Sequence, residues 1–182
     1  MNQKTIIELC RRGDRKAQRV LYDTYRSRWY MICLRYLRGE SDAQDALQNA
    51  LVKIYMKIDQ FDLKLGSFYG WSSRIVVNEC IMLIRSRKRV LEFESMEGSI
   101  DFNLEPSVIE DLSAQEILKL VQKLPTGYRL VFNLHAMEGY AHHEIAEMLQ
   151  ISTGTSKSQL FKARKMLQQQ IKHILLEPHT HE

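Results

Sequence analysis

Residues 139–167 read GYAHHEIAEMLQISTGTSKSQLFKARKML, and the pattern inside this stretch decides the fold. Two short helices flank a tight break. The first carries Ile145, Ala146 and Leu149, apolar at i, i+1 and i+4, a spacing that gathers on one helical face. Gln150, Ile151 and Ser152 interrupt it, and the Ser152 hydroxyl is placed to accept from the exposed N–H groups of a new helix. In that helix positions 156, 160, 163 and 167 share a face, and three of them are Leu160, Ala163 and Leu167. The opposite side is expected to show Thr155, Ser158, Gln159, Lys162 and Lys165. This is a helix-turn-helix whose second helix suits a polyanion.

Working outward, the rest of the chain also reads as helix. Hydrophobic residues make up 45% of the 182 residues, with 8 Gly and 3 Pro. No alternation of apolar and polar residues runs long enough to argue for a sheet, so an all-α fold is expected. A short helix over residues 3–12 ends at Gly13, and Asp14 caps a second that runs to about Leu37 on Leu21, Tyr25, Ile32 and Tyr36. Ser41 and Gln44 have the spacing of a capping box for a third helix ending near Ile58. Residues 59–67 form a loop, and a fourth helix runs from Phe68 to Arg89. Ser113 and Glu116 form a second capping box, opening a helix that stops at Pro125, and residues 127–137 form another.

Charge divides the chain. Residues 1–91 hold 18 Lys and Arg against 9 Asp and Glu, residues 92–126 hold 2 against 8, and residues 127–182 hold 6 against 5. From Val90 to Ser113 there is no Lys or Arg, and there are seven acids, Glu92, Glu94, Glu97, Asp101, Glu105, Glu110 and Asp111. Such a segment reads as an acidic linker between modules with separate partners. The expected division is a first domain over 1–91, a linker over 92–112, a second domain over 113–176 and a tail over 177–182.

Chemistry concentrates in two places. On the helix from Phe68, residues Arg74, Asn78, Arg85 and Lys88 fall at i, i+4, i+11 and i+14, with Arg89 beside them. Phe61, Phe68, Tyr69 and Trp71 lie just before. Cations hold phosphates and flat rings stack on unpaired bases, at about 1–3 kcal/mol per base. Trp71 itself reads as core. No nucleophile–base–acid set appears: Ser72, Ser73, Asp59 and Asp62 lack a base or metal partner, so no enzyme and no cofactor is expected. Cys10, Cys33 and Cys80 are scattered, with no C-x-x-C, and fit reduced thiols in a cytoplasmic protein. His142-His143 and the pair His179 and His181 lack further ligands at zinc spacing, so no metal site is expected. No signal peptide opens the chain, and the apolar run from Ile75 to Ile84 is too short to span a bilayer.

The stretches DAQDALQNALVKIYMKIDQF (42–61), GSFYGWSSRIVVNECIMLIRSRKR (66–89), LPTGYRLVFNLHAMEGYAHHEIAEMLQIS (124–152) and GTSKSQLFKARKML (154–167) together resemble a bacterial RNA polymerase sigma factor of the extracytoplasmic-function (ECF) group. The resemblance implies a region-2 domain followed by a region-4 domain. Asp42, Asp45, Gln48 and Asn49 would meet the clamp helices of the largest subunit of core RNA polymerase. Phe61, Phe68, Tyr69, Arg74, Asn78, Arg85, Lys88 and Arg89 would recognise and open the minus-ten element, trapping a flipped base in a pocket that Asn78 lines. Ser152, Thr153, Thr155, Ser158, Gln159, Lys162 and Lys165 would read the minus-thirty-five element as duplex, while the polymerase flap holds the other side of that module. The linker would thread toward the RNA exit path, and it permits an anti-sigma factor to wedge between or wrap the domains.

Four positions depart from the family pattern. Asn49 stands where Glu is common, which weakens one acidic contact with the clamp. Ala141 stands where Ser often caps the first helix of the motif, with His142 or water expected to compensate. Ser156 replaces the usual core Val. Gln159 replaces the usual Arg, and since Gln pairs with adenine and Arg with guanine, Gln159→Arg is expected to shift promoter choice toward guanine. The other classes are a helix-turn-helix regulator with an N-terminal sensor or dimerisation domain, and a helical adapter. A sensor domain would not need region 42–89 with its basic, aromatic-flanked helix, and strong salt dependence of promoter-complex formation would argue against an adapter that binds only protein.

Overall fold

A computed structural model describes residues 2–87 and 113–176, and these fall into two units that divide between residues 89 and 90. The expected linker, the tail, and residues Lys88 and Arg89 lie outside the described residues. Every regular element described is helical.

The first unit contains α1 (Gln3–Arg11), α2 (Arg15–Tyr36), α3 (Glu40–Lys57), a single 3-10 turn (Ile58–Gln60) and α4 (Phe68–Arg87). Gly13, at φ +77°, lets the chain turn between the first two helices. Asp14 then accepts from the Ala17 N–H at 2.9 Å, as the sequence leads one to expect. Asp14→Ala should lower the stability of this unit by about 1 kcal/mol, read as a shift in its denaturant midpoint. An unshifted midpoint would show that the cap adds nothing here.

The Ser41–Gln44 box does not form. α3 begins two residues earlier than that box requires, at Glu40, with Gly39 at its N-cap and no side-chain cap hydrogen bond. Ser41 is therefore already inside the helix, and Glu40 and Asp42 put negative charge in the first turn, where it favours the helix dipole. The core joins Ile7, Leu21, Trp29, Ile32 and Tyr36 to Ala43, Ala46, Ile54, Phe68, Val76 and Val77, all buried. Tyr55 ties α3 to α2 by donating to the Gln18 carbonyl at 2.8 Å, and burial first of all pushes its hydroxyl pKa up to about 12. Cys33 and Cys80 are both buried, and the hydrogen bond to Cys33, then burial, holds the Cys80 thiol well above its ordinary range. It stays protonated and poorly nucleophilic.

The second unit contains α5 (Ala114–Lys123), α6 (Thr126–Phe132), a π-helical turn (Asn133–Met137), α7 (His142–Leu149) and α8 (Thr153–Leu176). The Ser113–Glu116 box forms in both directions, with Glu116 N–H to Ser113 Oγ at 3.3 Å and Ser113 N–H to Glu116 Oε2 at 2.8 Å. The helix expected over 127–137 is split. The Glu138 N–H reaches back five residues to the Asn133 carbonyl at 3.0 Å, which widens the last turn. Gly139, at φ +78°, then reverses the chain, and the Tyr140 N–H closes on the Leu134 carbonyl at 2.9 Å. Leu120, Val121 and Leu124 of α5 pack with Ala163, Leu167 and Ile171 of α8. Arg129 is buried, and its Nη1 donates to the carbonyls of Gln122 at 3.2 Å and Leu124 at 3.0 Å, capping the end of α5.

Candidate nucleic-acid interface

In the first unit the aromatic residues do not form the expected stacking platform. Phe61 and Phe68 are buried. Phe68 sits among Tyr25, Trp29, Phe61 and Trp71, with ring centroids 5.5, 6.5, 5.3 and 5.5 Å away. The correction has a simple cause. The Phe68 ring packs on Tyr25 and Trp29 of α2 and the Phe61 ring packs on Phe68 and Trp71 of α4, so both are spent on the core. Trp29 Nε1–H donates to Ser72 Oγ at 3.0 Å, and Ser72 in turn donates to the Tyr69 carbonyl at 3.1 Å. Arg11 reaches from α1 to the carbonyls of Ile58 and Phe61, pinning the loop's entry.

What remains available is Tyr69, half-buried, with the Arg28 guanidinium over its ring at 5.5 Å. Arg74 and Asn78 are exposed one turn apart on α4, and Arg85 is half-buried. The loop tip adds Leu63 and Leu65, the latter 87% exposed. Sequence reasoning missed Arg28, which lies on α2 with no local signal linking it to residue 69.

On α3, Asp45, Gln48 and Asn49 are exposed and Asp42 is half-buried. The same stripe continues at i+7 and i+11 from Asp45 with Val52 and Met56, both exposed, Met56 to 76%. This apolar extension was also missed, although its helical spacing was legible. Beside it Lys53 pairs with Glu79 of α4 at 2.6 Å.

In the second unit the helix-turn-helix forms. Gln150 takes the left-handed conformation at φ 56°, and Ser152 Oγ accepts from the Thr155 N–H at 2.9 Å. Ser152 and Thr153 are exposed, Thr155 and Ser158 are half-buried, and Lys165 is exposed. Lys162 is half-buried with its ammonium 5.9 Å from the Tyr128 ring centroid. Gln159 is only 2% exposed. It stands three residues after Ser156 and four before Ala163, so it belongs to the inner face and not to the outer one expected for it. Among the exposed cations of α8, Lys157, Arg164 and Lys165 lie within its first four turns, and Lys172 lies beyond them. Base readout by Gln159 therefore loses its geometric support, and Gln159→Arg would place a guanidinium in a closed site.

Ala141 supplies no capping side chain, and only the return half of a capping box forms, with Glu144 Oε2 accepting from the Ala141 N–H at 2.7 Å. His142 is engaged elsewhere: its Nδ1 shares a hydrogen bond with Oγ of the buried Ser156 at 2.9 Å. Its ring stacks on His135, centroids 4.5 Å apart and planes 11° from parallel. Burial first, then His135, Lys157 and Arg164, hold the His142 pKa below its ordinary value. Among the described residues, no group of three or more His, Cys, Asp or Glu could hold a metal ion, and no helix is long and apolar enough to cross a membrane.

Two family models match, sigma-70 region 2 over residues 21–90 and sigma-70 region 4 over residues 114–167. The chain is 29% identical over 183 residues to the ECF RNA polymerase sigma factor SigW of Bacillus subtilis (strain 168), spanning 94% of this chain and 97% of that protein. It is 25% identical over 187 residues to the ECF RNA polymerase sigma-E factor of Escherichia coli (strain K12), spanning 96% and 97%. Its fold is similar to that of the sigma factor RpoE solved in complex with the anti-sigma factor NepR from Bartonella quintana, with a TM-score of 0.54, 21% identity, and coverage of 85% of this chain and 96% of that one.

Proposed function

The chain belongs to the ECF group of sigma-70 factors, and from that premise we propose how its two units divide the work of directing RNA polymerase to promoters. The first unit holds the opened minus-ten strand. Arg74 and Asn78, with Arg28, Tyr69, Arg85, Lys88 and Arg89, supply cations, an amide and a half-buried ring. Phe61 and Phe68 act behind them, as the rigid backing of the loop. Flipping a base costs a few kcal/mol, and contacts to the extruded base offset it. The second unit reads the minus-thirty-five duplex with Ser152, Thr153, Lys157, Arg164 and Lys165. The α3 stripe of Asp45, Gln48, Asn49, Val52 and Met56 meets the polymerase clamp, with Asp42 at its edge, and the flap meets the second unit. The factor acts by binding and not as an enzyme, it works in the cytoplasm, and an anti-sigma factor is a further partner.

The exposed pair Arg74 and Asn78, one turn apart on the helix that follows the loop, is the observation that carries this reading. The test is run-off transcription with core RNA polymerase on genomic DNA, with the start sites sequenced. The double variant Arg74→Ala with Asn78→Ala should keep its unfolding midpoint, since exposed substitutions usually stay within about 0.5 kcal/mol. Open-complex formation should fall by about tenfold or more. Wild-type initiation by that variant would remove these residues from strand capture, and failure of the native chain to initiate on any site would sink the reading as a whole.

A further inference from the structure

We propose that His142 is a positioning residue for α8, acting through Ser156, and that it makes duplex reading by the helix-turn-helix weaken in mild acid. The proposal rests on the reading of α8 as the duplex reader. His142 opens α7 and Ser156 lies in the first turns of α8, so their 2.9 Å hydrogen bond ties together the beginnings of the two helices. Ser156 is fully buried, and its hydroxyl takes a position where an apolar side chain would make a joint indifferent to protons.

The surroundings favour the neutral ring over the protonated one. His135 comes from the π-helical turn and stacks flat on His142, and its own Nδ1–H donates to the Tyr140 carbonyl at 3.0 Å, which fixes the ring in place. From α8, the positive charges of the exposed Lys157 and Arg164 act on the same imidazole. On α7 itself, the Glu144 carboxylate is engaged by the Ala141 N–H, and His143 is exposed. A protonated His142 would thus meet a stacked imidazole and two cations across a partly dry contact.

The sign follows from linkage. The folded His142 binds its proton less readily than the unfolded chain does. The joint's contribution is therefore full above the ordinary histidine range of about 6.5, and is lost as pH falls through the lower folded value. Lys157 is the neighbour of Ser156 and projects outward, so loosening the joint displaces the reading face. Added positive charge alone would strengthen DNA binding. A fall in affinity on acidification therefore separates positioning from simple electrostatics.

The experiment uses the full chain with core RNA polymerase and a labelled duplex enriched by the wild type from a randomised library at about pH 7.5. Wild type should lose about three- to tenfold in affinity between about pH 7.5 and pH 5.8. His142→Asn keeps a hydrogen-bonding amide near the Nδ1 position without a titrating ring, and its affinity should hold nearly constant over that range. His142→Ala should bind more weakly at both values. In parallel, thermal melting of the free chain should show a larger acid-induced loss for wild type than for His142→Asn. Equal pH profiles for wild type and His142→Asn, or a wild-type affinity that rises in acid, would overturn the proposal alone. Failure to enrich any duplex would overturn the reading of α8, and the proposal with it.

Discussion

Phe68→Ala should destabilise the first unit by about 3–5 kcal/mol, a large share of the roughly 5–15 kcal/mol that holds a typical domain folded. The ring is fully buried and touches four others, Tyr25, Trp29, Phe61 and Trp71. Such pairs add about 0.5–1.5 kcal/mol each beyond the area they bury, and the hole left behind cannot be refilled by a rigid cluster. The two tryptophans of the chain both belong to this cluster. Their fluorescence therefore reports its loss directly in a denaturant titration. If Phe68 instead stacked on a base, the variant would unfold at the wild-type midpoint and fail only in promoter opening, and that pattern would refute the core assignment.

Arg129→Ala should cost the second unit about 3 kcal/mol, because two charge-assisted hydrogen bonds to backbone carbonyls disappear from a buried site. α5 depends on this guanidinium to close its last turn, and α5 carries Leu120, Val121 and Leu124 into the core. Arg129→Met separates donor from stem. Loss close to that of the alanine variant would place the effect in the hydrogen bonds, whereas recovery of most of the stability would place it in packing. Circular dichroism melting of both variants, with hydrogen exchange of the α5 amides, measures the difference.

Much of the fold was legible because local chemistry and long-range packing agree. Asp14, Ser113 with Glu116, Ser152 and the positive-φ glycines Gly13 and Gly139 all do what their residue types favour. Ser41 failed because a helix can start without a side-chain cap when acidic residues occupy its first turn. The interface was harder to read. Phe61 and Phe68 look alike as stacking rings or as core, and only their neighbours in space, Tyr25, Trp29 and Trp71, decide between them. Gln159 was legible in principle. A polar side chain drew it to the outer face, although its spacing from Ser156 and Ala163 places it inside. Arg28 was not legible, since its partner ring lies 41 residues later in the sequence.

The π-helical turn at Asn133–Met137 has a consequence for how such a chain can change length. A wide turn holds one residue more than an α-turn would. Deleting a single residue there would let the turn tighten and rotate everything after it by about 100° about the helix axis. His135 would then leave His142, and α7 would begin on the wrong side of α6. A one-residue deletion in this segment is thus a change of aim for the helix-turn-helix. A lineage that tolerates insertions freely in its loops should keep this turn at fixed length.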